Sequence, residues 1–163
     1  MTLPKRELSA TSVLLIDGNQ NQRTYWTDQL KRCSPGYEIV EASDGQSGLD
    51  LYRSRQIDCV VLELSLPDDS GFPTLVKLVP IANKPQVAVI VLTQIPHRSV
   101  LQVAQDNGAY ACFHKPQTTG EELDKAIQSA VAFVRQISKE DRGKPPRSNP
   151  LDQVLTAVRR VTQ

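Results

Sequence analysis

The chain has 163 residues, of which 39% are hydrophobic and 23% charged, and its formal net charge is +1. That length is most simply one domain with an appendage, and the composition is ordinary for a soluble globular protein. A net charge this close to zero excludes bulk attraction to nucleic acid or to an anionic membrane, so neither is expected as a direct partner.

The three cysteines, Cys33, Cys59 and Cys112, are scattered and form no CxxC or His/Cys zinc spacing, which suits a reducing compartment. Cys59 and Cys112 lie inside apolar runs and read as packing residues. No apolar stretch approaches the roughly 18 residues needed to cross a bilayer. The polar segment Met1 to Ser12 lacks the apolar centre of a signal peptide. A cytoplasmic protein is expected.

In chain order, residues 1–10 read as a tail. Val13-Leu14-Leu15-Ile16 is a continuous apolar run closed by Asp17-Gly18-Asn19, the pattern of a strand buried on both faces. Gln20 to Cys33 reads as a helix anchored by Tyr25, Trp26 and Leu30, stopped by Ser34-Pro35-Gly36. Tyr37 to Ala42 is a second strand. Ser43-Asp44-Gly45 turns into a helix of about ten residues with Leu49, Leu51 and Tyr52 on its apolar side. Cys59 to Leu64, with Glu63 near its end, is the third strand, and Gly71 to Val79 a short helix ahead of Pro80 and Pro85.

Val87 to Leu92 is a fourth strand with Thr93 at its end. Ser99 to Asn107 is helical through Val100, Leu101, Val103 and Ala104, and Gly108 ends it in the left-handed conformation that glycine tolerates. Tyr110 to Phe113 is a fifth strand, followed by His114-Lys115-Pro116. The last long helix runs from about Thr119 to Ser138, with Thr119 and Glu122 as a capping box. Leu123, Ile127, Val131 (or Ala130), Val134 and Ile137 line one of its faces. Residues 139–150, with Pro145, Pro146 and Pro150, read as a charged, proline-rich linker. Leu151, Val154, Leu155, Val158 and Val161 in residues 151–163 fall at helical spacing, and a helix that short must dock to persist.

Five strand–helix repeats predict an α/β domain over residues 11–138. Its parallel sheet is expected in the order 2-1-3-4-5, the flavodoxin-like (β/α)5 arrangement, with a short C-terminal helix outside it. In such sheets the site lies beyond the carboxyl ends of the strands, at the ends of strands one and three. Those ends carry Asp17 and Glu63.

Four elements therefore converge: Asp17 after strand one, Glu63 at strand three, Thr93 at strand four and Lys115 after strand five. This set resembles the receiver domain of two-component response regulators, the CheY-like superfamily. The matching stretches are Val13 to Asp17, Asp58 to Gly71 with Leu66-Pro67, Val89 to Thr93, and Gly108-Ala109 through Lys115-Pro116; together they cover about Thr11 to Arg135. The resemblance implies phosphorelay signal transduction. An acidic pair after strand one and an aspartate at position 63 would bind magnesium. That aspartate would accept phosphate, the lysine and threonine would contact the phosphoryl group, and an aromatic on strand five would follow the motion.

This sequence departs from that pattern in three places. The second acid of the pair is Gly18, the phosphoacceptor position holds Glu63, and the switch-aromatic position aligns with Cys112. Asp17, Glu63 and Ser65 remain as a weak metal set, so any Mg2+ is expected to bind weakly. No catalytic residue is expected, and the chain does not read as an enzyme. A glutamate carboxylate reaches about one C–C bond further than an aspartate, and a misplacement on the ångström scale can cost about 100-fold in rate.

Three readings of Glu63 stay open: a fixed mimic of the phosphoryl group, an inert partner for Lys115, and a receiver still phosphorylated by a histidine kinase. The resemblance implies signalling proteins, a histidine kinase or an output protein, as partners. They would bind a face built from helix four, strand five and helix five; a homodimer could use that face or the C-terminal helix. A fragment of a larger regulator or hybrid kinase is a further alternative. Asp68, Asp69, His97 and His114 read as solvated turn or strand-end residues.

Overall fold

The computed structural model describes residues 10–143. The elements alternate: β1 (Ser12–Ile16), α1 (Gln20–Cys33), β2 (Glu38–Ala42), α2 (Gly45–Ser54), β3 (Cys59–Leu62), α3 (Gly71–Leu78), β4 (Ala88–Thr93), α4 (Arg98–Asp106), β5 (Ala111–His114) and α5 (Gly120–Arg142). The five strands form one sheet in the order β2-β1-β3-β4-β5. Every neighbouring pair is parallel. This is the flavodoxin-like (β/α)5 architecture.

Strict alternation along the buried strands sorts the core into two layers. Leu14, Ile16, Val60, Leu62, Val89 and Val91 face Leu49, Leu75, Leu78 and Ala104 of α2, α3 and α4. Val13, Leu15, Cys59, Val61, Ile90 and Leu92 face Trp26 and Leu30 of α1 and Leu123, Ile127, Ala130, Val131 and Val134 of α5. Covering both faces is what a continuous apolar strand demands.

Local chemistry sets the helix ends. Asn19 and Asp44 cap α1 and α2 by accepting from Gln22 and Ser47 amides. Thr119 and Glu122 form the full capping box on α5. Gly108 ends the α4 turn at φ +102, where its missing Cβ would meet the Val79 side chain, so only glycine suits the position.

Several expectations are corrected. Tyr25 does not anchor α1; it is half-exposed and stands edge-on to the buried Trp26. Val103 is exposed, and Ala104 alone is buried on α4. Strand β3 ends at Leu62, so Glu63 and Leu64 lie just past it. Helix α5 continues to Arg142, four residues into the segment read as linker. Lys139 to Arg142 have no helix-breaker among them, and the prolines that stop a helix come only at 145. The N-terminal tail, the prolines of the linker and the amphipathic residues 151–163 lie outside the described residues.

Candidate functional site

The register of the sheet brings the site together. Ile16 pairs with Leu62, so the residues after each, Asp17 and Glu63, leave the sheet side by side. Thr93 pairs with His114 on the next two strands, which places Lys115 one residue beyond Thr93. The Glu63 amide still donates to the Ile16 carbonyl at 2.9 Å, and the Asp17 amide to the Ala42 carbonyl at 3.0 Å. Both backbones are therefore fixed by the sheet although both side chains lie outside it. Asp17, Glu63, Thr93 and Lys115 are all buried.

Their polar atoms bind one another and the neighbouring backbone amides. The Lys115 ammonium lies 2.5 Å from Asp17 Oδ2 and 2.9 Å from Glu63 Oε2, bridging the two carboxylates. Glu63 Oε2 also accepts from the Gln94 amide at 3.0 Å. Glu63 Oε1 accepts from the Ser65 amide at 2.9 Å and from the Thr93 hydroxyl. Thr93 Oγ1 in turn accepts from the Ile95 amide at 3.1 Å, which turns its proton toward Glu63. Asp17 Oδ1 accepts from the Asn19 amide at 2.9 Å. Four donors thus converge on one carboxylate, two on each oxygen. Hydrogen bonds to a charged group contribute about 1.5–3 kcal/mol each, so four of them hold the longer side chain in one position.

The comparisons agree with this architecture. Residues 13–128 match the response regulator receiver domain. The chain belongs to that family.

It is 35% identical over 137 residues to the transcriptional regulatory protein PdtaR of Mycobacterium tuberculosis, covering 83% of this chain and 61% of the relative. It is 31% identical over 129 residues to the nitrate/nitrite response regulator protein NarL of Escherichia coli, covering 78% of this chain and 58% of the relative. The chain thus spans about three fifths of these relatives. A response regulator receiver domain protein from Clostridium thermocellum superposes with a TM-score of 0.69 at 25% identity, over 78% of this chain and 98% of that one. Among the described residues of this receiver, no helix is long and apolar enough to cross a membrane.

The residues present do not fit the magnesium ion that the family resemblance implies. Two carboxylates face one another, and all four of their oxygens already accept a hydrogen bond. The cation between them is Lys115. No group of three acidic, His or Cys side chains placed to hold a metal ion exists among the described residues. Gly18 offers no third carboxylate, and a Cβ there would sit 2.6 Å from Pro67 Cδ, so the proline ring occupies the space an acid would need. Ser65 of the expected metal set donates its amide to Glu63 Oε1, so that carboxylate oxygen already holds a donor.

Cys112 is half-buried on β5 and packs against the α2–α4 layer, while Phe113 faces the α1–α5 layer. Burial pushes the Cys112 thiol up to about 12, so it is an unreactive packing group. His114 reaches the Gln94 carbonyl at 3.2 Å, on the strand-four loop whose amide holds Glu63.

Three contributors escaped sequence reasoning. Arg23, in the first turns of α1, donates from Nη1 to the Asp17 carbonyl at 2.6 Å and lies 3.4 Å from Glu41 through Nε. Its signal was a basic residue six positions after Asp17. The Ser65 and Gln94 amides had no sequence signal, because backbone donors are the same at every residue.

Proposed function

We propose that this receiver works through protein contacts independently of phosphorylation, with Glu63 as a built-in substitute for the phosphoryl group. The observation that carries the reading is the set of donors on Glu63. The lysine and threonine that the family resemblance assigns to the phosphoryl group both bind this carboxylate. The substitute is imperfect in charge, −1 against the −1.5 to −2 of a phosphate. Its partners are signalling proteins, a histidine kinase or an output protein, engaged through the surface of α4, β5 and α5.

A carboxylate whose two oxygens each accept two hydrogen bonds has no free lone pair aimed outward for attack on a phosphodonor. Lys115 bridges the two buried acids and offsets one of their two negative charges, so a magnesium ion would have to displace this ammonium. Incubation with acetyl phosphate and Mg2+, followed by intact mass and peptide mapping, is expected to give no label at residue 63. Stable magnesium-dependent labelling there overturns the proposal. The Glu63→Gln variant separates a mimic from an inert scaffold. Amide shifts that spread to α4, β5 and α5 support the mimic; shifts confined to the site leave Glu63 as a structural partner of Lys115.

A further inference from the structure

At the opposite pole of the sheet lies a surface of apolar side chains rimmed by polar ones, Lys84, Gln86 and Ser138 among them, that the site does not use. A groove of about 640 Å3 runs between Pro80, Ile81 and Pro85 of the α3–β4 loop and Ile137, Asp141 and Arg142 of α5. A second hollow, about 230 Å3, shares Pro85 and is walled by Tyr110 and Phe133. The rings of Tyr110 and Phe133 pack at a tilt of 48° with centroids 5.6 Å apart. Ile81, Tyr110 and Phe133 remain 57%, 40% and 48% exposed, so three large apolar side chains border two adjoining hollows that meet at Pro85 and are still open to solvent.

The chain itself supplies a complementary segment. Helix α5 forms one wall of the groove, and the polypeptide leaves that wall at its end, Arg142 and Gly143. Leu151, Val154, Leu155, Val158 and Val161 then recur at the spacing of one helical face. Seven residues, 144–150, join the two, and they can extend to about 25 Å. From Arg142 back to the level of Phe133 is only about 14 Å of helix rise. The connection therefore reaches either hollow. A helix over 151–163 would be about 20 Å long and marginal without a surface to cover.

We propose that residues 151–163 dock as an amphipathic helix into this groove of their own chain, against Ile81, Pro85, Tyr110, Phe133 and Ile137. Their own chain is favoured over a second copy by tethering. A short linker holds the segment at an effective concentration in the millimolar range, above that of free protein in dilute solution.

Hydrogen–deuterium exchange on the full 163-residue chain tests this. Amides of 151–163 are expected to exchange at least about tenfold more slowly than an unstructured segment, at every protein concentration, in a particle of monomer mass. The pair Leu155→Asp/Val158→Asp and, separately, the pair Ile81→Asp/Phe133→Asp should each abolish that protection. The tail pair leaves the sequence of residues 10–143 unchanged and keeps the test decisive if the groove pair unfolds; unchanged fluorescence of the buried Trp26 reports an intact fold. Unprotected tail amides in the wild-type chain overturn the proposal. So does protection that survives the groove variants, and so does protection that appears only with dimer mass.

Discussion

The two poles of the sheet are built on opposite terms. At the carboxyl ends of the strands, three charged side chains and a hydroxyl are buried and satisfy one another. At the amino ends, three large apolar side chains stand half in solvent. A buried, saturated polar network is costly to disturb, because removing one member strands the others in low dielectric. A half-exposed apolar surface is cheap to alter and gains only when something covers it. The contrast is one of build: the carboxyl pole closes its polar groups into a hydrogen-bonded network, while the amino pole leaves apolar side chains in contact with solvent.

The largest expected effect comes from Lys115. In Lys115→Met the Asp17 and Glu63 carboxylates face one another without their cation, and urea unfolding should show a loss of about 3–5 kcal/mol, the range for breaking a buried ion pair. A loss under about 1 kcal/mol would break the comparison, since the pole would then be no more rigid than the exposed one. Thr93→Val keeps the shape but removes one of four donors to Glu63 and leaves the Ile95 amide without its acceptor. A loss of about 1–3 kcal/mol is expected by the same measurement.

The smallest effect belongs to the seam between α1 and α5, outside both poles. There Asp124 accepts from Ser34 Oγ at 2.9 Å and from Gln128 Nε2 at 3.0 Å. Burial, with the Asp124 carboxylate beside it, raises the Tyr37 hydroxyl from 10 to about 12. The folded state therefore holds this proton more tightly than the unfolded chain. Its stabilisation is complete below pH 10 and is lost as pH rises toward about 12. The Tyr37→Phe variant should flatten the alkaline limb of a stability–pH profile in that window. An unchanged limb would remove Tyr37 from the account.

Much of the fold was legible because the strands are covered on both faces and so read as unbroken apolar runs, Val13 to Ile16 and Cys59 to Leu62 most clearly. Their parallel order follows from the alternation with helices. The errors fell where periodicity carries no information about neighbours. Tyr25 and Trp26 are adjacent and equally apolar, yet only Trp26 points inward. Lys139 to Arg142 look like linker by charge, but a helix already anchored through Val134 extends into solvent at little cost.

The site divides in the same manner. Asp17, Glu63, Thr93 and Lys115 could be named from the chain because each follows a recognisable strand, and a strand end is a local property. Whether Gly18 could be an acid was not a local question. The Pro67 ring fills that space, and a contact across 49 positions is decided by packing. The same holds for Arg23 on Asp17 and for the two amides on Glu63. The sequence by itself determined which groups reach the carboxyl pole. Only the tertiary structure decided that Lys115 bridges both acids and that each Glu63 oxygen is saturated, because hydrogen-bond satisfaction depends on distances between segments that composition and spacing do not encode.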